Sequence, residues 1–337
     1  MKKRVLITGI TGMVGSHLTD LILRKTNWEI YGLCRWRSPL DNIEHLLHWA
    51  NKKNSRIKFI SADLNDYSSL IYALKKSKPN YVFHLAAQSF PKSSFEEANS
   101  TFNTNFIGTY NLLNAIKFLK LNPFIHVCSS SEVFGKVKKE NLPINENCNY
   151  HPASPYAISK VGTDMVGKYF FEAFNLKVLT TRMFTHTGPR RGDVFAESSF
   201  AKQIAMIEAK KIKPVVKVGN LKSLRTFADV RDAVNAYYLL LTKNPKPGEI
   251  YNIGGNYSCT VGEMLKYLIS LSTSKKIKII TDRARLRPID ADLQIPDVRK
   301  FKGYTSWEPK YSFNQTMVDL LNYWRELISN YGNEFLQ

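Results

Sequence analysis

The sequence holds no CxxC pair. Its four cysteines, Cys34, Cys128, Cys148 and Cys259, are far apart in a chain of 337 residues. That spacing suits reduced thiols rather than a zinc site or a disulfide framework. No apolar run reaches the ~18 residues that a membrane-spanning helix needs. The opening MKKRVLITG has the basic tip of a secretion signal but neither its apolar core nor a cleavage site. A cytoplasmic location is therefore expected. Acidic residues are also in deficit, 28 against 48 lysines and arginines, for a formal net charge of +20. Such an excess suits nucleic acid, a membrane surface or an anionic substrate. The lysines are scattered, however (Lys75, Lys76, Lys138, Lys139, Lys210, Lys211, Lys213), and form no long block or basic amphipathic helix. This argues against nucleic acid and membrane, whereas a small polyanion needs only a few of these charges. Low-complexity linkers and internal repeats are missing too.

What is present is an ordinary globular composition, 44% hydrophobic and 12% aromatic, long enough for one large domain or two. The first 182 residues alternate short apolar runs with helix-like stretches. Strands are expected at Arg4–Thr8, Glu29–Cys34, Ile57–Ser61, Tyr81–His84, Phe124–Cys128 and Lys177–Arg182. Helices are expected at Met13–Lys25, Ile43–Lys53 and 99–120. This rhythm implies βαβ crossovers and an α/β fold, a Rossmann-type doubly wound parallel sheet. After residue 183 the texture changes. A loop (HTGPRRGDVF) is followed by helical (Ser199–Lys210, Val230–Leu241) and strand (Val215–Val218) patterns. A smaller α/β lobe interleaved with the sheet is expected. The division would be 1–182, with 218–250 returning to it, against 183–217 and 251–337.

The first strand runs into TGITGMVG. Gly9 permits a tight turn, Gly12 lets a pyrophosphate approach the backbone, and Gly15 lets the helix pack close to the sheet. Between a strand and a helix, this spacing points to a dinucleotide. A site for NAD usually has an acid at the end of strand two to hold the ribose hydroxyls. Here YGLCRWRS supplies Arg35 and Arg37 instead, partners for a 2′-phosphate, so NADP is expected over NAD. Asp63, after strand three, would suit the adenine edge.

SPYAISK carries Tyr156 and Lys160 four apart, on one helix face. A lysine beside a phenol favours phenolate and fits it for proton exchange with a carbinol. The serine-rich strand end CSSSEV stands 26 residues upstream, counted from Ser130 to Tyr156. Together TGITGMVG, HLAAQS (84–89), the Ser130 region and YAISK resemble the extended short-chain dehydrogenase/reductase superfamily over nearly the whole chain. In that superfamily the hydroxyl at the Ser130 position, Tyr156 and Lys160 are catalytic. Its motifs imply cofactor contacts at Thr11, Met13, Val14, Leu64, Leu85, Ala86 and Ala87, besides the glycines and the Tyr–Lys pair.

Glu132 narrows the chemistry. A C4 epimerase needs no acid there, whereas a sugar 4,6-dehydratase needs a base for the C5 proton. Ser130-Ser131-Glu132 resembles the Thr-Ser-Glu of the GDP-mannose branch of these dehydratases, so Ser131 and Glu132 join the catalytic set. TGPRRGDVF (187–195), VGNLKSLRTFADVRDAV (218–234) and RPID (287–290) resemble stretches of the same branch. The resemblance implies substrate contacts at Gln88, Ser89, Thr185, Arg190, Arg191, Val218, Asn220, Arg225, Arg287 and Asp290. Arg225 and Arg287 would meet a diphosphate, for which a forked guanidinium is suited. The chain departs from the branch at Met13-Val14, Thr185 and Phe134. Several stretches, CRWRSPLDNIEHL and THTGPRRGDVF among them, look more like enzymes that dehydrate GDP-manno-heptose. The alternatives are a GDP-sugar C4 dehydrogenase or reductase, an epimerase or decarboxylase, and a dinucleotide-sensing regulator without catalysis. No metal is expected. A homodimer or homotetramer is implied, through 99–120, the Tyr156-bearing helix and the Arg35–Glu44 loop.

Overall fold

The computed structural model describes residues 2–50, 52–289 and 291–331. β1 (Arg4–Thr8) runs into α1 (Met13–Lys25), and β2 (Glu29–Cys34) into a short helical stretch ending in α2 (Glu44–Leu47). β3 (Ile57–Ser61) precedes α3 (Tyr67–Ser77). β4 (Tyr81–His84) precedes α4 (Ala98–Phe102), a π-helical turn at Asn103–Ile107, and α5 (Gly108–Phe118). β5 (Phe124–Ser130), α6 (Pro155–Phe174) and β6 (Lys177–Met183) complete the first half. Then come β7 (His186–Thr187), α7 (Ala196–Glu208), β8 (Val215–Val218), β9 (Leu224–Asp229), α8 (Val230–Thr242) and β10 (Ile250–Ile253). β11 (Tyr257–Thr260), α9 (Val261–Ser270), β12 (Lys278–Thr281), β13 (Leu293–Gln294), α10 (Arg299–Thr305) and α11 (Phe313–Tyr331) follow.

The expected doubly wound sheet is observed. Seven parallel strands lie in the order β10-β6-β5-β4-β1-β2-β3. Strands such as β1 (RVLIT) are apolar on both faces, so both faces need cover. α1, α8 and α10 close one face around Ile7, Ile22, Tyr237 and Phe301; α3, α5 and α6 close the other around Leu6, Leu74, Leu113 and Phe170. Side-chain caps start several helices. Asp66 accepts from the amides of Ser68 and Ser69 before α3, and Ser154 accepts from Ala157 before α6, where Pro155 takes the first turn. The strand order reverses between β1 and β4, which leaves a crevice at their carboxyl ends.

The small lobe has its own core, in which α7, α9 and α11 pack around Phe200, Val218, Leu265 and Leu320. Its four-stranded sheet is built on β9, which pairs with β11, β13 and β7. The expected return to the large domain at 218–250 is thus narrower at its start and wider at its end. β8 and β9 serve the small lobe, because Val218 and Phe227 bury their side chains there. α8 and β10 go back to the large sheet, and β10 carries it past residue 250. Phe301 and Trp307 also pack into the large core.

Two helical expectations differ in detail. The helix expected at Ile43–Lys53 stops at Leu47: Ile43 and Leu46 are buried and Ala50 packs against the same cluster, but Leu47 and Trp49 are exposed. The long helix at 99–120 forms but is widened by the π-helical turn. That turn brings Asn105 to the backbone of Gln88, accepting from its amide and donating to its carbonyl.

Candidate active site

The carboxyl ends of β1, β4, β5 and β6 open onto a cleft of about 1800 Å³ between the lobes. One drug-sized ligand fills roughly 300–1,000 Å³, so the cleft has room for a dinucleotide and a second large molecule.

The glycine loop forms its inner wall. Gly9 has φ 71°, and a Cβ there would stand 2.8 Å from the Ala86 backbone. A Cβ on Gly15 would stand 2.2 Å from the Gly9 carbonyl oxygen, so only glycine lets α1 approach β1 this closely. Gly12 caps α1 without any side chain bonded to the first-turn amides. An open amide-rich turn of this kind suits a pyrophosphate. Thr11, Met13 and Val14 line the cleft beside it, as do Leu64, Leu85, Ala86 and Ala87. Arg35 lines the cleft at the end of β2, whereas Arg37 is exposed and stands away from the lining. The turn after Arg35 closes on itself, with the Ser38 amide donating to the Arg35 carbonyl, and aims Arg37 at solvent. Asp63 lines the cleft too, its carboxylate accepting from the Asn65 amide at 2.8 Å. The residues present therefore fit a phosphorylated dinucleotide.

Behind the loop lies a chain of hydrogen bonds that motif reading did not single out. Thr8 Oγ1 accepts from the amides of Leu85 and Ala86, both at 3.1 Å. Its own proton then goes to His84 Nδ1 at 2.8 Å. His84 must carry its proton on Nε2 and donate it to Thr109 Oγ1 at 2.9 Å. Burial pushes this histidine down to about 3, with Lys160 adding to the effect, so it stays neutral.

Ser130 ends β5 and accepts from the Glu132 amide at 3.2 Å. Its hydroxyl also faces the phenol of Tyr156, the second residue of α6. Lys160 follows one turn later, donating to the Cys128 carbonyl at 2.8 Å, with its ammonium 6.0 Å from the Tyr156 ring centre. The structure thus brings the expected hydroxyl, phenol and ammonium together. The electrostatics are less simple than the spacing implied. Burial raises the Tyr156 phenol well above its usual range, opposed chiefly by the Ser130 hydrogen bond and to a lesser degree by Arg191. Burial also lowers Lys160, while Cys128 and Asp164 pull it back up. Desolvation outweighs the help that the lysine was expected to lend.

Ser131 and Glu132 line the same cleft, in a single helical turn after β5. Arg225 Nη1, from β9, stands 3.8 Å from Glu132 Oε1. Phe134 is fully buried, stacked near Phe184 and under the Arg182 guanidinium. A fully buried site between an aromatic ring and a guanidinium face suits the phenyl ring found where the resembling branch has tyrosine.

Gln88, Ser89, Thr185, Asn220 and Arg287 line the cleft. Gln88 donates to the Phe90 carbonyl and to Ser93 Oγ. Arg190 also reaches the lining, yet its guanidinium is tied to Asp20 of α1 at 2.7 Å. Arg191 pairs with Glu197 at 3.1 Å and lies 3.4 Å over the Phe195 ring. Val218 does not reach the cleft: it is buried in the small-lobe core, and its neighbours Gly219 and Asn220 provide the lining. The period of β8 explains this, since Val216 and Val218 point inward while Lys217 points out. Asp290 lies outside the described residues.

A family model described as GDP-mannose 4,6 dehydratase matches residues 6–320. The chain belongs to that family. It is 30% identical over 342 residues to the GDP-mannose 4,6 dehydratase of Drosophila melanogaster, covering 95% of this chain and 85% of that one. It is 28% identical over 329 residues to the GDP-6-deoxy-D-mannose reductase of Pseudomonas aeruginosa, covering 97% and 99%. A solved structure of RMD from Pseudomonas aeruginosa complexed with NADPH superposes with a TM-score of 0.81 at 26% identity, covering 96% and 100%. The superfamily resemblance read from the sequence is borne out at the level of the GDP-mannose 4,6 dehydratase family.

Other cleft residues of this family member were given no role from the motifs. Arg285 lines the cleft and donates to Ser199 Oγ at 3.0 Å. Its signal was its place two residues before Arg287. His186 lines the cleft as well, with its Nδ1–H held by the Phe184 carbonyl at 3.1 Å. Burial, then Arg191, pushes it down to about 4. Phe90 and Lys92, from the loop after β4, reach Phe195 and the Ala284 carbonyl across the cleft mouth. Only the folded chain brings those pairs together.

Proposed function

We propose that this protein is an NADP-dependent GDP-sugar 4,6-dehydratase, acting on GDP-mannose or GDP-manno-heptose to give the 4-keto-6-deoxy sugar. The observation that carries the reading is Glu132 in one cleft with the Ser130–Tyr156–Lys160 set. Family membership and the GDP-linked names of the relatives support it.

Gly9, Gly12 and Gly15 would hold the pyrophosphate of NADP, with Arg35 at its 2′-phosphate and Asp63 at the adenine side. Bound NADP supplies reversible hydride acceptance, the chemistry that no side chain offers. Tyr156 takes the proton of the C4 hydroxyl, and Ser130 holds the C4 oxygen. The resulting ketone acidifies the neighbouring C5–H. Glu132 removes that proton and delivers one to the departing C6 hydroxyl, which leaves as water, with Ser131 in support. Tyr156 or solvent returns a proton to C5. With reversible hydride transfer supplied by the bound dinucleotide, the reaction would consume no cofactor overall. Arg225 and Arg287 would bind the diphosphate, and Gln88, Ser89, Thr185 and Asn220 the remaining substrate.

A Glu132→Gln variant tests the base. Loss of a positioned base typically costs about 10²–10⁴-fold in rate. Water loss from each GDP-sugar, followed by mass spectrometry, should fall by that order, and a near-wild-type rate rejects the role of Glu132. The second reading is a GDP-sugar reductase, favoured by the Pseudomonas aeruginosa relative. It requires stoichiometric NADPH consumption, which absorbance of the nicotinamide follows directly.

Assembly as a homodimer or tetramer belongs to the same proposal. The π-helical turn, α5 and α6 expose Phe106, Tyr110, Ile158, Met165 and Tyr169. A run of large apolar side chains on paired helices suits burial against a second copy.

A further inference from the structure

The Glu132–Arg225 pair joins the two lobes across the cleft. Glu132 stands at the carboxyl edge of the large sheet, and Arg225 is the second residue of β9 in the small-lobe sheet. Both side chains are largely buried, 16% and 12% exposed. Their 3.8 Å separation allows Coulomb attraction but is too long for a hydrogen bond. Among the described residues, Arg225 makes no other ion pair or side-chain hydrogen bond. It is a buried cation whose forked donors remain open to the cleft, an arrangement that calls for a further acceptor. A diphosphate offers two adjacent charged acceptors, and bidentate contact with guanidinium is among the strong charge-assisted kinds.

Resting on the function proposed above, we infer that Glu132 and the diphosphate of the substrate compete for Arg225. Binding of the nucleotide draws the guanidinium to the phosphates and leaves the carboxylate facing the sugar without its counter-ion. The exchange therefore couples the base to a loaded site, with Arg225 as the positioning residue. No covalent step is involved, and the coupling is reciprocal. Removing the charge of Glu132 must strengthen the grip of Arg225 on the nucleotide.

Calorimetric titration with GDP of wild type, Glu132→Gln, Arg225→Met and the double variant closes the cycle. Glu132→Gln is expected to tighten GDP binding by roughly 5-fold or more, the low end of coupling between linked sites. In the Arg225→Met background the same change should alter affinity by less than about twofold, the scatter of additive pairs. Arg225→Lys, which keeps a charge without the fork, should restore part of the coupling and serves if Arg225→Met does not fold. Unchanged or weaker GDP binding by Glu132→Gln overturns the inference. So does equal tightening in the Arg225→Met background, since that traces to direct repulsion between Glu132 and phosphate. UDP is titrated in parallel. If UDP binds in place of GDP, the guanine assignment fails and the same cycle run with UDP decides the exchange. Binding of neither nucleotide overturns both. Full dehydratase activity in Glu132→Gln would remove the base role while leaving competition for Arg225 to be read from binding alone.

Discussion

At the scale of single residues, the site depends on atoms that are absent as much as on those present. Gly15 is the clearest case, since any Cβ there enters the Gly9 carbonyl at 2.2 Å. Gly15→Ala is expected to cost ~1–3 kcal/mol or more through forced overpacking. It should also abolish the rise in melting temperature that NADP gives the wild type, because α1 must retreat from the loop that carries the pyrophosphate. Thermal melts with and without NADP check both effects. The role of Gly15 was legible from spacing alone, because glycine is required there for a local reason. Phe134 was not legible. Its meaning lies in Phe184 and Arg182, which are distant in sequence and arrive only through β6 and its following turn. Tyr156 falls between the two cases. Its place beside Ser130 was readable, whereas the rise in its proton affinity comes from burial that no motif encodes.

At the scale of elements, α6 does two tasks. Its first turns carry Tyr156 and Lys160, and one turn further Asp164 forms a buried ion pair with Arg182 of β6 at 2.7 Å. Arg182 also donates to the Glu146 carbonyl and the Tyr150 hydroxyl, at 2.8 and 2.6 Å. Asp164 is fully buried and helps to keep Lys160 charged. Asp164→Ala would strand the guanidinium in the core. Breaking a buried pair in this way typically costs about 3–5 kcal/mol. Urea unfolding should show a loss of that size, and a loss under 1 kcal/mol would contradict a buried, dependent pair. The YxxxK motif marked the face of this helix that lines the cleft. Asp164 lay in the same stretch, but its partner could not be named before β5 and β6 were known to be neighbours with α6 packed over them.

At the scale of the whole molecule, protonation and assembly are the properties to test. His84 and His126 are pushed down to about 3, and His17 and His186 to about 4, in each case chiefly by burial. An unfolded chain protonates these groups near 6.5, so below that pH it binds more protons than the folded one. Stability therefore rises with pH across this window and is complete above it. The melting temperature is expected to hold between pH 7 and 8, then fall steadily as pH drops from 6.5 towards 4. A flat profile through that range would show that these imidazoles are not buried neutral. For assembly, the wild type is expected to sediment as a dimer or larger. Ile158→Glu with Tyr169→Glu should shift it to monomer without unfolding it, because both side chains are exposed on α6.

Much of the protein is determined locally. Both the glycine spacing and the rhythm of short apolar strands act through neighbours in the chain, so the parallel sheet and its ligand loop could be read directly. So could the Tyr–Lys pair, which one helical turn brings onto a single face. Residues 218–229 could not be assigned in that way. Whether β8 and β9 join the large sheet or the small one depends on which lobe buries Val218 and Phe227. The meeting of Glu132 and Arg225 is of the same kind. They are far apart in the chain and belong to different sheets, and only the closing of one lobe against the other sets a carboxylate beside a buried guanidinium.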